Sequence, residues 1–119
     1  MDEIQIPISV GELLDKISIL SIKSQYTDNS YVTKELQELI KIAKEHQVYD
    51  APYVSRLLPI NHKLWKIEDD LRVLEKSQDF DEEFIELARS VYKTNDLRAQ
   101  IKKEINEETQ STYQEIKLY

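Results

Sequence analysis

The residues best suited to form a ligand site are polar side chains on predicted helices that come level when the chain folds back. If the third and fourth helices turn at Ser77–Phe80, residues whose numbers sum to about 157 lie side by side, which brings Asn61 level with Asp96. The same folding at the other turns brings Asp15 and Arg98 to this level. The candidate ligand-binding residues are Asp15, Lys16, Asn61, His62, Trp65, Arg72, Asn95, Asp96 and Arg98.

Two interpretations of this polar layer are open. A bundle interior is a common place for a site built from facing helices, and an arginine pairs bidentately with a carboxylate or a phosphate, which predicts a site for a small anion or a phosphosugar. An ion pair between Asp15 and Arg98 would instead fix the register of the helices without any ligand. Structural ion pairs are common, so the sequence favours this second interpretation.

An acidic run, Glu68–Asp70, raises the question of a divalent metal such as Mg²⁺, which binds carboxylates. Consecutive helical residues point about 100° apart, so these three side chains cannot all face one ion. Pairs such as Glu12/Asp15 have the acid-x-x-acid spacing that holds Mg²⁺ in helical pyrophosphohydrolases. With 23 acids in 119 residues, however, about four such pairs arise by chance. We therefore predict no metal site; Glu68 and Asp69 are the only candidates.

Several catalytic chemistries lack the residues they need. The chain has no Cys, which excludes thiolate nucleophiles, disulfides and Cys-based zinc sites, and its single Gly cannot form a phosphate-cradling loop. No Ser lies in a G-x-S-x-G motif, and His46 and His62 lack the H-E-x-x-H spacing of a zinc-binding helix. No cofactor is predicted, and whether the chain is an enzyme stays open.

The element that must position Asp15 is a first helix, predicted over residues 9–26. Ser9 and Glu12 match the S-x-x-E capping box, which marks a helix start. One apolar stripe of this helix faces a core, and a second stripe, Ile19, Ile22 and Tyr26, lies on the opposite side. A helix covered on two faces has either a central position in the bundle or one face reserved for another subunit.

The remaining apolar periodicity predicts helices over about 30–47, 53–76 and 81–109. Pro59 predicts a kink or a break in the third helix, and the polar stretch at Asn95 leaves a break in the fourth as an alternative. An extended arm precedes the first helix, and residues 110–119 either fray or dock on a partner. One Gly and three Pro exclude a β-sandwich. We predict an all-α fold, a single domain over 1–119: an up-and-down four-helix bundle with a long C-terminal helix and a short extended N-terminal arm.

The charge balance bears on partners and location. Sixteen Lys and Arg against 23 Asp and Glu give a net charge of −7, which disfavours nucleic acid and anionic membrane surfaces as partners. The first residues lack the basic and apolar regions of a secretory signal. We expect a soluble, acidic, cytoplasmic protein.

Three segments carry a resemblance: Gly11–Leu20 (GELLDKISIL), Leu64–Arg72, and Phe84–Arg98 running on to Asn106. Together they resemble a family of bacterial and phage all-helical proteins of about this length that has no assigned function. The resemblance implies a stand-alone helical domain, with a loose link to surface-polysaccharide biology. The residues 26–53 match none of these strings.

Two functions follow from these observations. The first is a helical interaction or oligomerisation module, a homodimer whose contact is formed by the second stripe of the first helix and by the long fourth helix. The alternative is a small-anion or phosphosugar-binding protein, or an enzyme, built on the interhelical polar layer.

Overall fold

The computed structural model describes residues 1–50 and 52–119. Over these residues the chain forms four α-helices and no β-strand: α1 (Val10–Lys23), α2 (Ser30–Glu45), α3 (Tyr53–Lys76) and α4 (Glu82–Glu108). The prediction of an all-α four-helix bundle is confirmed. An irregular arm, residues 1–9, precedes α1, and a C-terminal tail, residues 110–119, follows α4.

The short α1 lies at the centre of the molecule, because it packs against each of the other three helices. Among the helices of the described chain, α2 contacts only α1, whereas α3 and α4 pack along each other as a hairpin. The second stripe of α1 is therefore partly covered within the chain, although Tyr26 stays 60% exposed. Ile22 is 1% exposed, and Tyr26 stacks on Trp65 of α3 with ring centroids 5.0 Å apart.

The α3–α4 hairpin is longer than the helix it packs against. At 1.5 Å per residue, α1 is about 21 Å long, α3 about 36 Å and α4 about 40 Å. Part of the hairpin therefore extends beyond α1, and the radius of gyration is 16.1 Å, against about 13.5 Å for a compact chain of this length. The molecule is elongated along this hairpin.

Three helices end on a glutamine in the left-handed conformation, namely Gln47 (φ 60°), Gln78 (φ 58°) and Gln110 (φ 53°). In each case the next residue donates its backbone N–H to the carbonyl five residues earlier, as Val48 does to Ala43 at 3.0 Å. This is the Schellman motif, which usually places glycine at the left-handed position. A chain with one glycine thus ends its helices with glutamine, at a cost of about 1 kcal/mol each.

α3 runs without a break through Pro59, and α4 runs without a break through Asn95. Because proline has no N–H, the carbonyl of Ser55 loses its helical partner. At the start of α1, Ser9 Oγ accepts a hydrogen bond from the Glu12 N–H at 3.1 Å, as the capping box predicts. The Glu12 carboxylate, however, turns away from Ser9 and binds Lys102.

The apolar core lies where α1 meets the other helices. Side chains of all four helices contribute to it: Leu13, Leu14, Ile17, Ala43, Leu57 and Ile105. Burial of each large aliphatic side chain stabilises the fold by about 1.5–3 kcal/mol. No helix in the described residues has an apolar stretch long enough to cross a membrane.

Candidate functional site

The inward side of α4 carries a polar residue at every fourth position, Thr94, Arg98, Lys102 and Asn106. Residues at this spacing form one stripe on a helix, and in this chain the stripe faces the centre of the molecule, where hydrophobic residues are the rule. Groups from α1, α3 and the C-terminal tail meet it. We call this set the polar layer: Glu12, Asp15, Ser18, Asn61, Arg98, Lys102 and Glu115.

Asp15 is the centre of the polar layer and is 1% exposed. Its Oδ1 accepts a hydrogen bond from Asn61 Nδ2 on α3 at 2.8 Å, and its Oδ2 lies 3.4 Å from Arg98 Nη2 on α4. The structure thus brings together the three residues that the helix register placed level. A carboxylate buried this deeply requires such partners, since an unpaired buried charge costs several kcal/mol.

The Asn61 amide is fixed by two acceptors. Besides Asp15, its Nδ2 donates to Ser18 Oγ at 2.6 Å, and the Ser18 hydroxyl donates to the carbonyl of Asp15 at 2.8 Å. An ionised carboxylate only accepts hydrogen bonds, so the amide nitrogen, and not its oxygen, must point at Asp15. These bonds tie α3 to α1 at a single level.

Lys102 is the buried charged residue that sequence reasoning missed. Its side chain is 2% exposed, and its Nζ lies 2.6 Å from Glu12 Oε2, 3.1 Å from Glu115 Oε1 and 3.9 Å from Asp15 Oδ2. Lysine is rarely buried unless it is paired. The available signal was its position four residues after Arg98, which places both cations on one face of α4.

Burial and charge act in opposite directions on this pair. For Glu12 partial burial is the largest single effect and opposes ionisation, but the nearby cations, Lys102 first among them, outweigh it, and the pKa of Glu12 is lowered. For Lys102 burial is again the largest effect and favours the neutral amine, but its hydrogen bonds to Glu12 and Glu115 outweigh it, and its pKa is raised. The pair is therefore ionised over a wide pH range.

At the end of the polar layer next to the start of α1, the backbones of α1 and α4 come very close. The Gly11 N–H donates to Asn106 Oδ1 at 2.7 Å, and a Cβ atom on Gly11 would lie 2.7 Å from the Lys102 carbonyl oxygen. Only glycine permits this approach. Within the described residues, Asn106 Nδ2 and Asp15 Oδ2 have no hydrogen-bond partner, and the latter is held by the charges of Arg98 and Lys102 alone.

A cleft of about 360 Å³ opens beside Arg98 between α1, α3 and α4. Trp65, Asn95 and Arg98 line it. Arg98 Nη1 donates a hydrogen bond to Asn95 Oδ1 at 3.5 Å. Arg72 lies at the outer part and forms exposed ion pairs with Glu68 (3.6 Å) and Asp69 (3.7 Å). The lining residues are Ile19, Asn61, Leu64, Trp65, Glu68, Asp69, Arg72, Asn95 and Arg98.

Four of the nine predicted site residues do not line this cleft, and one of these, Asp15, is buried in the polar layer. Lys16 and His62 are exposed on α1 and α3. Asp96 is exposed too, and it lines a separate cleft of about 430 Å³ between α4 and the C-terminal tail. Glu68 and Asp69 are not joined by a third ligand: in the described residues no three His, Asp or Glu side chains come together as a metal site would need.

Residues 4–119 match the model of a family of unknown function, DUF6165. The chain belongs to this family. Neither a search of curated proteins nor a search of solved structures finds a match. The DUF6165 match spans the polar layer and the cleft together, so both lie within the family's domain.

What the polar layer of this DUF6165 chain can do follows from its charges. Three carboxylates and two cations leave one negative charge; Asp15 and Lys102 are buried, whereas Glu12, Arg98 and Glu115 stay partly exposed. Such a network fixes helix register. Of its charged groups, Arg98 alone borders the Trp65 cleft, with its side chain 29% exposed. It is therefore the group through which the layer can contact a ligand there.

Proposed function

We propose that this protein is a helical interaction module that acts as a homodimer. The observation that supports it is the exposure of large apolar side chains along the α3–α4 hairpin. Their exposed fractions lie between 48% and 63%: Val73, Phe80, Ile85, Tyr92 and Leu97. Helix geometry places Ile85 and Tyr92 on one side of α4, and monomeric soluble proteins usually keep exposed apolar patches small, so this side favours a protein contact.

Of the two elements that the sequence suggested for the contact, the proposal keeps the long fourth helix and replaces the second stripe of the first helix. Ile22 lies in the core, and Tyr26 is 60% exposed but stacks on Trp65, so the second stripe of α1 offers less apolar surface than the hairpin. Substituting Ile22 by Asp would bury a charge and unfold the chain instead of separating two subunits. The hairpin, which extends beyond α1, provides the contact instead.

Sedimentation equilibrium tests the proposal at protein concentrations from about 1 μM to about 500 μM. This range covers the dissociation constants of weak to moderate association. We expect a monomer–dimer equilibrium. Tyr92→Ser on the hairpin should weaken it by about tenfold or more, since an interface Tyr is worth roughly 1–2 kcal/mol. Tyr31→Ser removes a Tyr from α2 that is more exposed than Tyr92, 81% against 54%, and should leave the equilibrium unchanged. A monomer at every concentration would refute the proposal.

The Trp65 cleft supports a second candidate function, the binding of a small sugar. The two arginines and two carboxylates that line it sum to zero charge, so the cleft offers little net attraction to an anion. Amide, guanidinium and carboxylate groups next to an aromatic ring suit an uncharged polyhydroxyl ligand. This favours a neutral sugar over the small anion or phosphosugar that the sequence suggested.

Trp65 is the only Trp in the chain, so its fluorescence reports directly on the cleft. We expect a saturable change in its emission with neutral hexoses and disaccharides but not with inorganic phosphate, and weaker binding after Asn95→Ala. Lys41→Ala on α2 is the control. A response to phosphate alone would assign the cleft to anions, and no response to any probe would remove the candidate.

A further inference from the structure

The outward side of α4 carries two sets of residues that repeat every seven positions. Ile85, Tyr92 and Ala99 form the first set, and Ile85 and Tyr92 are each 54% exposed. Helix geometry places these residues on the side opposite the buried Thr94 and Ile105. Helices that pack along each other place two positions of every seven residues at the contact, and this set supplies one of the two. In the described residues no helix of this chain covers that side, although the C-terminal tail lies beside its end, where Asp96, Ala99 and Lys103 line a cleft.

The second set is charged and alternates in sign: Glu82, Arg89, Asp96 and Lys103. All four side chains are exposed, and within the described chain none of them forms an ion pair. They lie beside the apolar set on the same side of the helix. We call the two sets together the α4 seam.

We propose that the α4 seam packs against the same seam of a second copy, with the two helices antiparallel; this rests on the homodimer proposed above. A two-fold axis between Tyr92 and Lys93 places Glu82 opposite the partner's Lys103. It also places Arg89 opposite the partner's Asp96. By symmetry each pair occurs twice, so four complementary contacts flank an apolar centre at Tyr92.

The charge order selects this arrangement over the others. A parallel pairing in register sets Glu82 against the partner's Glu82 and repeats like charges along the whole seam, which is unfavourable. A parallel pairing shifted by seven residues matches charges but leaves one end of each helix unpaired, and such a contact adds copies without closing. Only the antiparallel pairing is both complementary and closed.

Affinity and orientation come from different parts of the seam. Exposed ion pairs contribute at most about 1 kcal/mol each, so they set orientation and register. Burial of Ile85 and Tyr92 supplies the affinity. The tail residues Ile116 and Tyr119 are exposed beside the Lys103 end, and the antiparallel arrangement brings them towards the partner's Phe80, an exposed apolar residue at the other end.

Charge reversal tests the arrangement by sedimentation equilibrium. Arg89→Glu sets two acids against each other at both symmetric positions and should weaken the dimer by about tenfold or more. The double variant Arg89→Glu/Asp96→Arg should restore it, because the antiparallel seam regains opposite charges, whereas a shifted parallel pairing acquires like charges. Lys41→Glu on α2 carries the same change of charge as Arg89→Glu and should leave the dimer intact.

Because the chain has no Cys, single introduced cysteines read the orientation directly. Lys93→Cys lies near the proposed two-fold axis and should be linked between subunits by a short bismaleimide. Glu82→Cys should not, because about 32 Å separates the two copies of residue 82 in the antiparallel dimer. Circular dichroism confirms that each variant is folded.

The outcomes separate this inference from the proposed function. A monomeric wild type refutes both. A wild-type dimer that Arg89→Glu leaves unchanged keeps the homodimer but overturns the seam. If Arg89→Glu weakens the dimer and the double variant does not restore it, the antiparallel arrangement is overturned. Cross-linking between subunits through residue 82 overturns it too. The arrangement is supported if Arg89→Glu weakens the dimer, the double variant restores it, and cross-linking occurs through residue 93 but not through residue 82.

Discussion

Lys102→Met tests whether the polar layer stabilises the fold through charge. Methionine keeps most of the apolar stem but removes the ammonium that Glu12, Asp15 and Glu115 share. Removing one partner of a fully buried ion pair costs about 3–5 kcal/mol. Here Glu12 and Glu115 are 41% and 31% exposed and can rehydrate, while Asp15 keeps Arg98. We therefore expect the free energy of unfolding to fall by about 2 kcal/mol.

Urea unfolding at one protein concentration, followed by circular dichroism and Trp65 fluorescence, measures this loss. It corresponds to a fall in Tm of about 6–10 °C for a chain of this length. Lys66→Met on α3 is the control, since Lys66 is exposed and surface substitutions usually change stability by less than about 0.5 kcal/mol.

The loss of stability caused by Lys102→Met must also depend on pH. The directions of the two pKa shifts determine how. The pKa of Glu12 is lowered from 4.5, so the stability it contributes is present above that value and disappears as the pH falls through the folded-state pKa. The pKa of Lys102 is raised from 10.5, so its contribution is present below that value and disappears as the pH rises through the folded-state pKa. The difference between wild type and Lys102→Met should be greatest between these limits. Equal effects of Lys102→Met and Lys66→Met, or a difference that pH leaves constant, would refute the electrostatic reasoning.

Two further predictions concern the contacts of α1. Gly11→Ala should lower the free energy of unfolding by about 2 kcal/mol, because the new Cβ would overlap the Lys102 carbonyl oxygen; a chain that melts at or above the wild-type temperature would show that the two backbones do not approach so closely. Asn61→Ala should cost about 1–3 kcal/mol, because it leaves Asp15 Oδ1 buried without its donor; chemical denaturation measures this, and Ser55→Ala at an exposed site of α3 should be nearly neutral by comparison.

The level at which Asp15, Asn61 and Arg98 meet was predictable, because it depends only on helix length and on where the chain turns back. The burial of Lys102 was not. Its closest partners, Glu12 and Glu115, come from the first turn of α1 and from the non-helical tail, and no periodicity relates those segments to α4. The role of Glu12 was missed for a related reason. Its place in the capping box indicated a local contact at the start of α1, whereas its carboxylate binds Lys102.

The helix ends show the same limit. Glycine at a C-terminal position is a strong signal, whereas glutamine is an ordinary helix residue. Nothing in the sequence marks Gln47, Gln78 and Gln110 as left-handed. The left-handed conformation at these positions is determined by the tertiary fold and not by the residue type.

The packing of α2 has a consequence for the order in which the molecule opens. This helix contacts α1 alone among the described helices, and Ala43 is its only buried residue. Local opening requires least free energy where few contacts are lost. Backbone amides of α2 should therefore exchange their hydrogens with solvent sooner than those in the middle of α1, α3 and α4. The three-helix unit that holds the polar layer can stay closed while α2 detaches and returns.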